Sequence, residues 1–426
     1  MNRSSDAKAR ASRANAWGFA IVFIVVNLHV LRNVALMPYL AVYAVVSLWV
    51  LNRAIARLAR TPQVSLGLPT AWIAAAGIAF ASTLAISGAG TALYGLSRYL
   101  FALPVLLAFI AYTDSPRDLL THIRTMCVFF AVGALTVPLQ YLTGPITFFA
   151  DSSERAGLER YASVFGSLTA LGIAAGSYIA LAQALRPRST VLSIVAIGVG
   201  GIASLSKAAI VNIALGLASH LVLGGRQVLR MIVTLAVVLS VGYLVVQESA
   251  ILQESLSASA TSFGVEGGSE NYDMSFQSSL YDRLVTRPAE NWAVLATMGS
   301  SLVYVTGGGF GMASTALVSP AASLAGMTHN QFAEFFSVAG LVGGSIATLT
   351  VAVIVVRLVR ARRTPLRGAV LGAMTLWVAN AFFANGIAYQ PITASVLFLA
   401  MFVASQRDGD TYTDSASPGR TEMEMR

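Results

Sequence analysis

Long apolar stretches alternate with short polar or basic segments along almost the whole chain. A helix needs about 20 predominantly apolar residues to cross about 30 Å of hydrocarbon, and the stretches approach that length. The pattern therefore predicts an all-α polytopic membrane protein with about twelve transmembrane helices. The predicted spans are 16–31, 34–51, 69–86, 99–112, 125–142, 164–184, 189–205, 208–223, 231–247, 331–356, 368–383 and 387–404.

Two connections are much longer than the others. Residues 143–163 separate the fifth and sixth spans, and residues 248–328 form a large loop between the ninth and tenth. Loops of that length inside a compact protein are usually functional or disordered. We interpret residues 1–426 as a single integral membrane domain with a polar, disordered tail at 406–426.

The composition excludes a soluble globular enzyme. Hydrophobic residues make up 56% of the chain and charged residues 11%, against about 25% charged residues in ordinary soluble domains. The single cysteine, Cys127, lies in an apolar run, so no disulfide can form within the chain. Residues 1–15 are polar and basic, and the apolar run after them lacks a small-residue cleavage site, which predicts a retained first span.

The formal net charge of +9 reflects membrane orientation rather than nucleic-acid binding, because the basic residues cluster between spans and not along one face with aromatics. If both termini are cytoplasmic, all but seven of the 28 basic residues fall on inner segments, as the positive-inside rule demands. The long loop is then periplasmic. The seven outer basic residues are Arg32, Arg98, Arg155, Arg160, Lys207, Arg283 and Arg287.

Basic residues on the disfavoured side are candidates for binding an anion. Arg283 and Arg287 stand four apart, so on a helix they share one face and can hold two oxygens of one phosphate group. Pro288 suits the first position of a new helix whose positive end would point toward Arg287. The alternative is a solvated loop in which Asp282 and Glu290 are surface partners.

The other outer basic residues have two interpretations each. Lys207 ends the seventh span after a tight turn that begins at Ser204, and Arg160 precedes the sixth span. Both either bind a substrate anion or reach toward lipid phosphate. For Arg98, at the start of the fourth span, we favour the lipid-facing role.

His329 opens the tenth span directly after the long loop. An imidazole with an ordinary pKa of about 6.5 accepts a proton near neutral pH, so His329 is the candidate general base, with helix capping as the alternative. His29, His122 and His220 lie at span ends or in an inner loop, and we interpret them as interfacial.

Motifs for a metal or a nucleotide cofactor are absent from the sequence, so we expect neither. The segment from Thr306 to Gly311 superficially matches a nucleotide-binding glycine pattern. It neither follows a hydrophobic strand nor opens a βαβ unit, and we interpret it as a flexible turn.

In their order along the chain, these features resemble the O-antigen ligase and polymerase superfamily of integral membrane glycosyltransferases. The resemblance covers roughly residues 160–357, and it depends on order and topology rather than on any single motif. The matching elements are Arg160 before a small-residue span through Gly172, the serine-basic turn Ser204–Lys207, Arg283 and Arg287 followed by Trp292, the glycines Gly307–Gly311, and His329-Asn330-Gln331-Phe332 ahead of Gly340-Leu341-Val342-Gly343.

The resemblance implies an undecaprenyl-diphosphate-linked glycan donor whose diphosphate is bound by Arg283, Arg287, Lys207 and Arg160. His329 would deprotonate the acceptor hydroxyl in a metal-independent, inverting transfer without a cofactor. The site would face the periplasm from the bacterial inner (cytoplasmic) membrane. Lys207 stands where ligases usually have arginine, which favours a polymerase.

The acceptor stays open at this point. A polymerase would use another lipid-linked repeat, with a flippase and a chain-length regulator as candidate partners, whereas a ligase would use lipid A core or a protein. A third alternative is a transporter or flippase of the lipid-linked glycan, which would place charges near the bilayer middle and show internal repeats. We find neither sign, and Glu334 is the nearest case of such a charge.

Overall fold

The computed structural model describes residues 3–60, 64–149, 153–155, 158–167, 169–185, 187–204, 206–224, 285–286, 289, 292–293, 301–310, 330–360, 364–384 and 386–406. These residues are predominantly helical. A short 3₁₀ helix covers His29–Asn33, and one antiparallel hairpin pairs β1 (Ser153–Arg155) with β2 (Leu158–Arg160). The α-helices are α1 (Arg3–Asn27), α2 (Leu36–Arg60), α3 (Gly67–Tyr99), α4 (Leu103–Tyr112), α5 (Pro116–Thr143), α6 (Ala170–Ala182), α7 (Pro187–Ala203), α8 (Lys207–Gly224), α9 (Leu302–Thr306), α10 (Gln331–Arg360), α11 (Pro365–Ala381) and α12 (Pro391–Ser405).

Within these ranges, the four helices α2, α3, α5 and α10 are long and apolar enough to cross a membrane. Helices stand at every predicted span position that the structure describes, and only the ninth predicted span, 231–247, lies outside. A helical, membrane-embedded protein is thus supported. The count of twelve spans and the placement of the loop at 248–328 stay predictions, and the tail after residue 406 lies outside the described residues.

Helix α3 folds back on itself at Gly88. The backbone there has φ 83° and ψ 173°, a conformation that only glycine adopts readily. The rings of Trp72 and Tyr99 lie 5.8 Å apart, although a continuous helix would separate the two residues by about 40 Å. Residues 67–87 and 89–99 therefore lie side by side, and the break follows directly after the predicted span 69–86.

Helix α10 folds back in the same way at Gly340, where φ is 64° and ψ is −168°. A Cβ placed on Gly344 would lie 2.8 Å from the Cα of Phe336, whereas eight residues of continuous helix rise about 12 Å. The predicted single span 331–356 is therefore wrong in its first third. Only residues 341–360 form one continuous helix, about 30 Å long and sufficient to cross the hydrocarbon.

The glycines after α9 bind the backbone that these breaks expose. Gly308 N–H donates to Ser337 O at 2.9 Å, and Gly309 N–H donates to Val338 O at 3.0 Å. Phe310 N–H donates to Thr83 Oγ1 at 2.7 Å. Irregular backbone at membrane depth requires such partners inside the protein. The segment that we expected to be a flexible turn is instead buried and held at residues 307–310.

Contacts between helix ends occur at two separate places among the described residues. At one end, which we call the Asp114 end, Arg57 forms an ion pair with Asp114 at 2.8 Å, and Asn15 donates to the same carboxylate at 2.6 Å. At the other, the Arg160 end, Arg160 contacts Ser204. Helix α5 runs from the Asp114 end to the Arg160 end. The orientation of the two ends across a membrane stays a prediction.

His122 corrects one expectation near the Asp114 end. Its ring is fully buried, lies 4.1 Å from the Phe19 ring in a stacked arrangement, and has Nε2 3.0 Å from Tyr112 O. His122 is therefore a packed core residue and not an interfacial one.

Candidate active site at the Arg160 end

Three of the five predicted substrate-contacting residues, Arg283, Arg287 and His329, lie outside the residues that the structure describes. The backbone of Lys207 is described as the first residue of α8. Arg160 is described in full, so the geometry of the site begins with these two.

Arg160 is held beside the turn that leads to Lys207. It ends strand β2 and pairs with Ser153 across the hairpin. Its half-buried side chain donates from Nε to Ser204 O at 3.3 Å. Ser204 lies three residues before Lys207, so two of the predicted diphosphate-binding residues, distant in sequence, come from adjacent segments of the structure.

The start of α8 is a position that favours an anion. A helix N-terminus carries a partial positive charge and favours anions over cations. The first turn of α8 contains no acidic residue to offset the lysine. Adding Arg160 nearby increases the positive potential further, and an anionic ligand at this point would relieve it.

Helix α6 packs closely against the first turns of α8. Gly172 and Gly176 form a small-xxx-small motif, which lets two membrane helices approach closely. A Cβ on Gly176 would lie 2.5 Å from Asn212 O, and one on Gly172 would lie 2.8 Å from Ser206 Oγ. The small residues of the predicted sixth span thus allow α6 to pack against the first turns of α8.

A second group surrounds the buried carboxyl group of Glu334 at the start of α10. Oε2 accepts from Gln331 Nε2 and from Gly386 N–H, each at 3.0 Å, and Oε1 accepts from the Tyr389 hydroxyl. Gln331 Oε1 in turn accepts from Ala388 N–H at 3.2 Å. These bonds tie the first turn of α10 to the segment between α11 and α12. The only signal for Glu334 in the sequence was an acid inside an apolar run.

Asn330 caps α10 directly after His329. Its side chain is buried, and Oδ1 accepts from Ala333 N–H at 3.0 Å, which satisfies one of the free N–H groups at a helix start. The side-chain capping role that was the alternative for His329 is therefore filled by Asn330.

Arg98 lies against this second group, contrary to the lipid-facing role we favoured. Its guanidinium carbon is 5.9 Å from the centre of the Tyr389 ring and 6.0 Å from that of Tyr94, within range of a cation–π interaction. The fold-back at Gly88 brings Arg98 there. Local sequence contains no sign of that placement.

The end of α11 joins the two groups. Asn380 hydrogen bonds to Asn212 of α8, and the Phe382 ring lies 4.9 Å from the Phe332 ring of α10. The Arg160–Lys207 group and the Glu334 group therefore flank the same helix end.

In comparisons with known proteins, no family model and no curated protein matches this chain.

Proposed function

We propose that this chain is a membrane glycosyltransferase that moves a glycan from an undecaprenyl-diphosphate donor to a sugar hydroxyl, most directly in polymerising O-antigen or exopolysaccharide repeats. The observation that carries the proposal is the contact of Arg160 with Ser204, next to Lys207 at the start of α8. An arginine side chain beside the N-terminus of a helix that begins with a lysine favours a ligand with several negative charges, and a diphosphate is such a ligand.

In the proposed reaction, Arg160, Lys207, Arg283 and Arg287 bind the diphosphate of the donor. His329 removes the proton from the acceptor hydroxyl as its oxygen attacks the anomeric carbon. The bond between that carbon and the diphosphate oxygen breaks, and the diphosphate leaves with the electron pair, stabilised by the arginines. A single displacement inverts the anomeric centre and needs neither a metal nor a cofactor.

The test uses purified protein with a lipid-linked glycan donor and an acceptor. His329→Ala should lower the rate of transfer about 10²- to 10⁴-fold, the usual cost of losing a general base, while donor binding persists. His220→Ala serves as the matched control and should transfer at the wild-type rate. Near-normal transfer by His329→Ala would remove His329 from the mechanism, and loss of wild-type transfer in chelator would replace the metal-free scheme.

The acceptor separates a polymerase from a ligase. When a second lipid-linked repeat is the only acceptor, a polymerase forms a longer lipid-linked glycan. When lipid A core or a protein is the only acceptor, a ligase attaches the glycan to it. Because the diphosphate site serves the donor in both cases, substitutions at Arg160 or Lys207 should impair both reactions equally. The same assay, run with each acceptor in turn, identifies the activity.

One observation favours a transporter as the second candidate. Helices interrupted at Gly88 and Gly340, with Glu334 buried beside the second interruption, are a feature of transporter substrate sites. A transporter would move lipid-linked glycan across liposomes without consuming it, and His329→Ala would leave that flux unchanged. Glycan transfer without flux would exclude this candidate.

A further inference from the structure

We infer that Glu334 is a positioning residue that holds the start of α10, and with it His329, in place relative to the segment between α11 and α12. The inference rests on the proposed function for the role of His329. Glu334 itself is buried and need not touch substrate. Its three hydrogen-bond donors are all protein groups: the Gln331 amide, the Gly386 N–H and the Tyr389 hydroxyl.

The first part of α10 needs such an anchor because it is short. Between the Asn330 cap and the break at Gly340 it spans only residues 331–339. Isolated helices shorter than about 12–15 residues are marginal, and the fold-back removes the rest of α10 as a continuous support. The orientation of this segment must therefore come from its lateral contacts.

Those contacts hold the segment at both ends. Near Gly340, Ser337 O and Val338 O accept the N–H groups of Gly308 and Gly309. At the other end, next to His329, the hydrogen-bonded anchors are Gln331 and Glu334. Loss of the Glu334 bonds would weaken the hold on the first turn, where the Gln331–Ala388 bond would persist, while the end near Gly340 kept its bonds to Gly308 and Gly309.

The partner segment of Glu334 is itself well fixed. Gly386 has φ 76°, and the Tyr389 ring packs 5.4 Å from Tyr99 and lies under Arg98. The preceding helix, α11, contacts α8 through Asn380 and Asn212. Glu334 thus links the first turn of α10 to the segment that follows α11, and α11 in turn contacts the helix that begins at Lys207.

An apolar side chain at position 334 would fill the same space but would not fix the orientation of residues 331–339. Three donors converging on one carboxyl group restrict its position from three directions, because hydrogen bonds weaken steeply as their geometry departs from the optimum. Misplacing a catalytic group by about 1 Å can lower a rate by about 100-fold. The effect expected from losing Glu334 is therefore on turnover rather than on donor affinity.

The experiment compares Glu334→Met, which removes both acceptor oxygens, with Glu334→Gln, which keeps one. The matched control is Asp118→Leu at the Asp114 end, because Asp118 is equally buried and also accepts from three donors: Ser12 Oγ, Ser115 Oγ and Asp114 N–H. Each purified variant is assayed for kcat, for KM with the lipid-linked donor, for thermal unfolding, and for hydrogen exchange of residues 329–339.

We expect Glu334→Met to lower kcat about 10- to 100-fold, with donor KM within about threefold of wild type and faster exchange in 329–339. Glu334→Gln should recover part of kcat. Asp118→Leu should lower the unfolding temperature but keep kcat per folded molecule.

Unchanged kcat in both Glu334 variants, a rise in donor KM alone, or an equal loss of kcat in Asp118→Leu would each overturn the inference. If Glu334→Met fails to fold, Glu334→Gln decides by the same readings. If wild type transfers no glycan, the proposed function fails, whereas unchanged exchange in 329–339 in the Glu334 variants would refute the anchoring itself.

Discussion

Asn212 and Asn380 exchange two side-chain hydrogen bonds across the interface of α8 and α11, with N···O distances of 2.9 and 2.7 Å. Both amides are buried. The pair connects the helix that begins at Lys207 with the helix that ends beside the first turn of α10. It therefore joins two helices that each carry or adjoin one group of the candidate active site.

Replacing one member of this pair should destabilise the protein measurably. Asn380→Leu leaves the Asn212 side chain without its reciprocal partner, which should cost about 0.5–2 kcal/mol of unfolding free energy. Denaturant unfolding in mixed micelles measures this change in the free energy of unfolding. The double variant Asn212→Leu with Asn380→Leu should recover part of the loss, because no polar group then stays unpaired; a fully additive loss would show that the two amides are not coupled.

The fold-back of α10 depends on a glycine at position 340. At φ 64° an added Cβ would meet Val305 O at 2.3 Å and Gly307 N at 2.4 Å, both backbone atoms. We expect Gly340→Ala to lower the yield and the unfolding temperature sharply, because a backbone cannot give way as a side-chain tip can.

The control for that substitution is Gly368→Ala in α11, where a Cβ would meet nothing within 4 Å. It should be neutral or slightly stabilising, since alanine favours a helix over glycine. Equal behaviour of the two variants in size-exclusion and thermal assays would contradict the fold-back.

Substitutions of Arg160 test the proposed diphosphate-binding site. Arg160→Ala should weaken donor binding by about 1.5–3 kcal/mol, roughly 10- to over 100-fold, as expected for a lost hydrogen bond to a charged group. Arg160→Lys should restore only part, because lysine keeps the charge but lacks the planar fork. Direct binding of lipid-linked donor to purified protein gives the measurement.

Arg188→Ala, which removes an exposed arginine near the start of α7, is the control for loss of charge alone. We expect donor affinity to stay at the wild-type value. If Arg160→Ala changed only the preference among glycans, Arg160 would contact sugar and not phosphate.

The distribution of basic residues predicts a membrane orientation with the segment 248–328 outside. A reporter that works only outside the cytoplasm should be active when inserted in 248–328 and inactive when fused after residue 360. The opposite pattern would put His329 and the arginines on the cytoplasmic side, away from an assembled glycan, and would end the proposed function.

The helices themselves could be predicted from the sequence, because a chain in lipid must satisfy its backbone internally and present apolar side chains in long runs. Every described helix that overlaps a predicted span begins or ends near the predicted boundary. The positive-inside rule also identified Arg160 and the Ser204–Lys207 turn as candidates, because few basic residues lie outside the predicted inner segments.

Contacts between distant segments decided the rest. Nothing in the mostly apolar segment 331–360 identifies Gly340 as a break, because glycine is common in membrane helices. Hydrophobic periodicity gives no signal when every face of a helix is apolar. The backbone of Gly307 packs against Val338 beside the break, and the sequence alone does not predict that contact. Glu334 acquired its partners from residues 386 and 389, more than fifty positions away. Hydrogen bonds of that range depend on how helices pack, and packing against Gly88, Gly340 and the end of α11 is a property of the whole bundle rather than of any local segment.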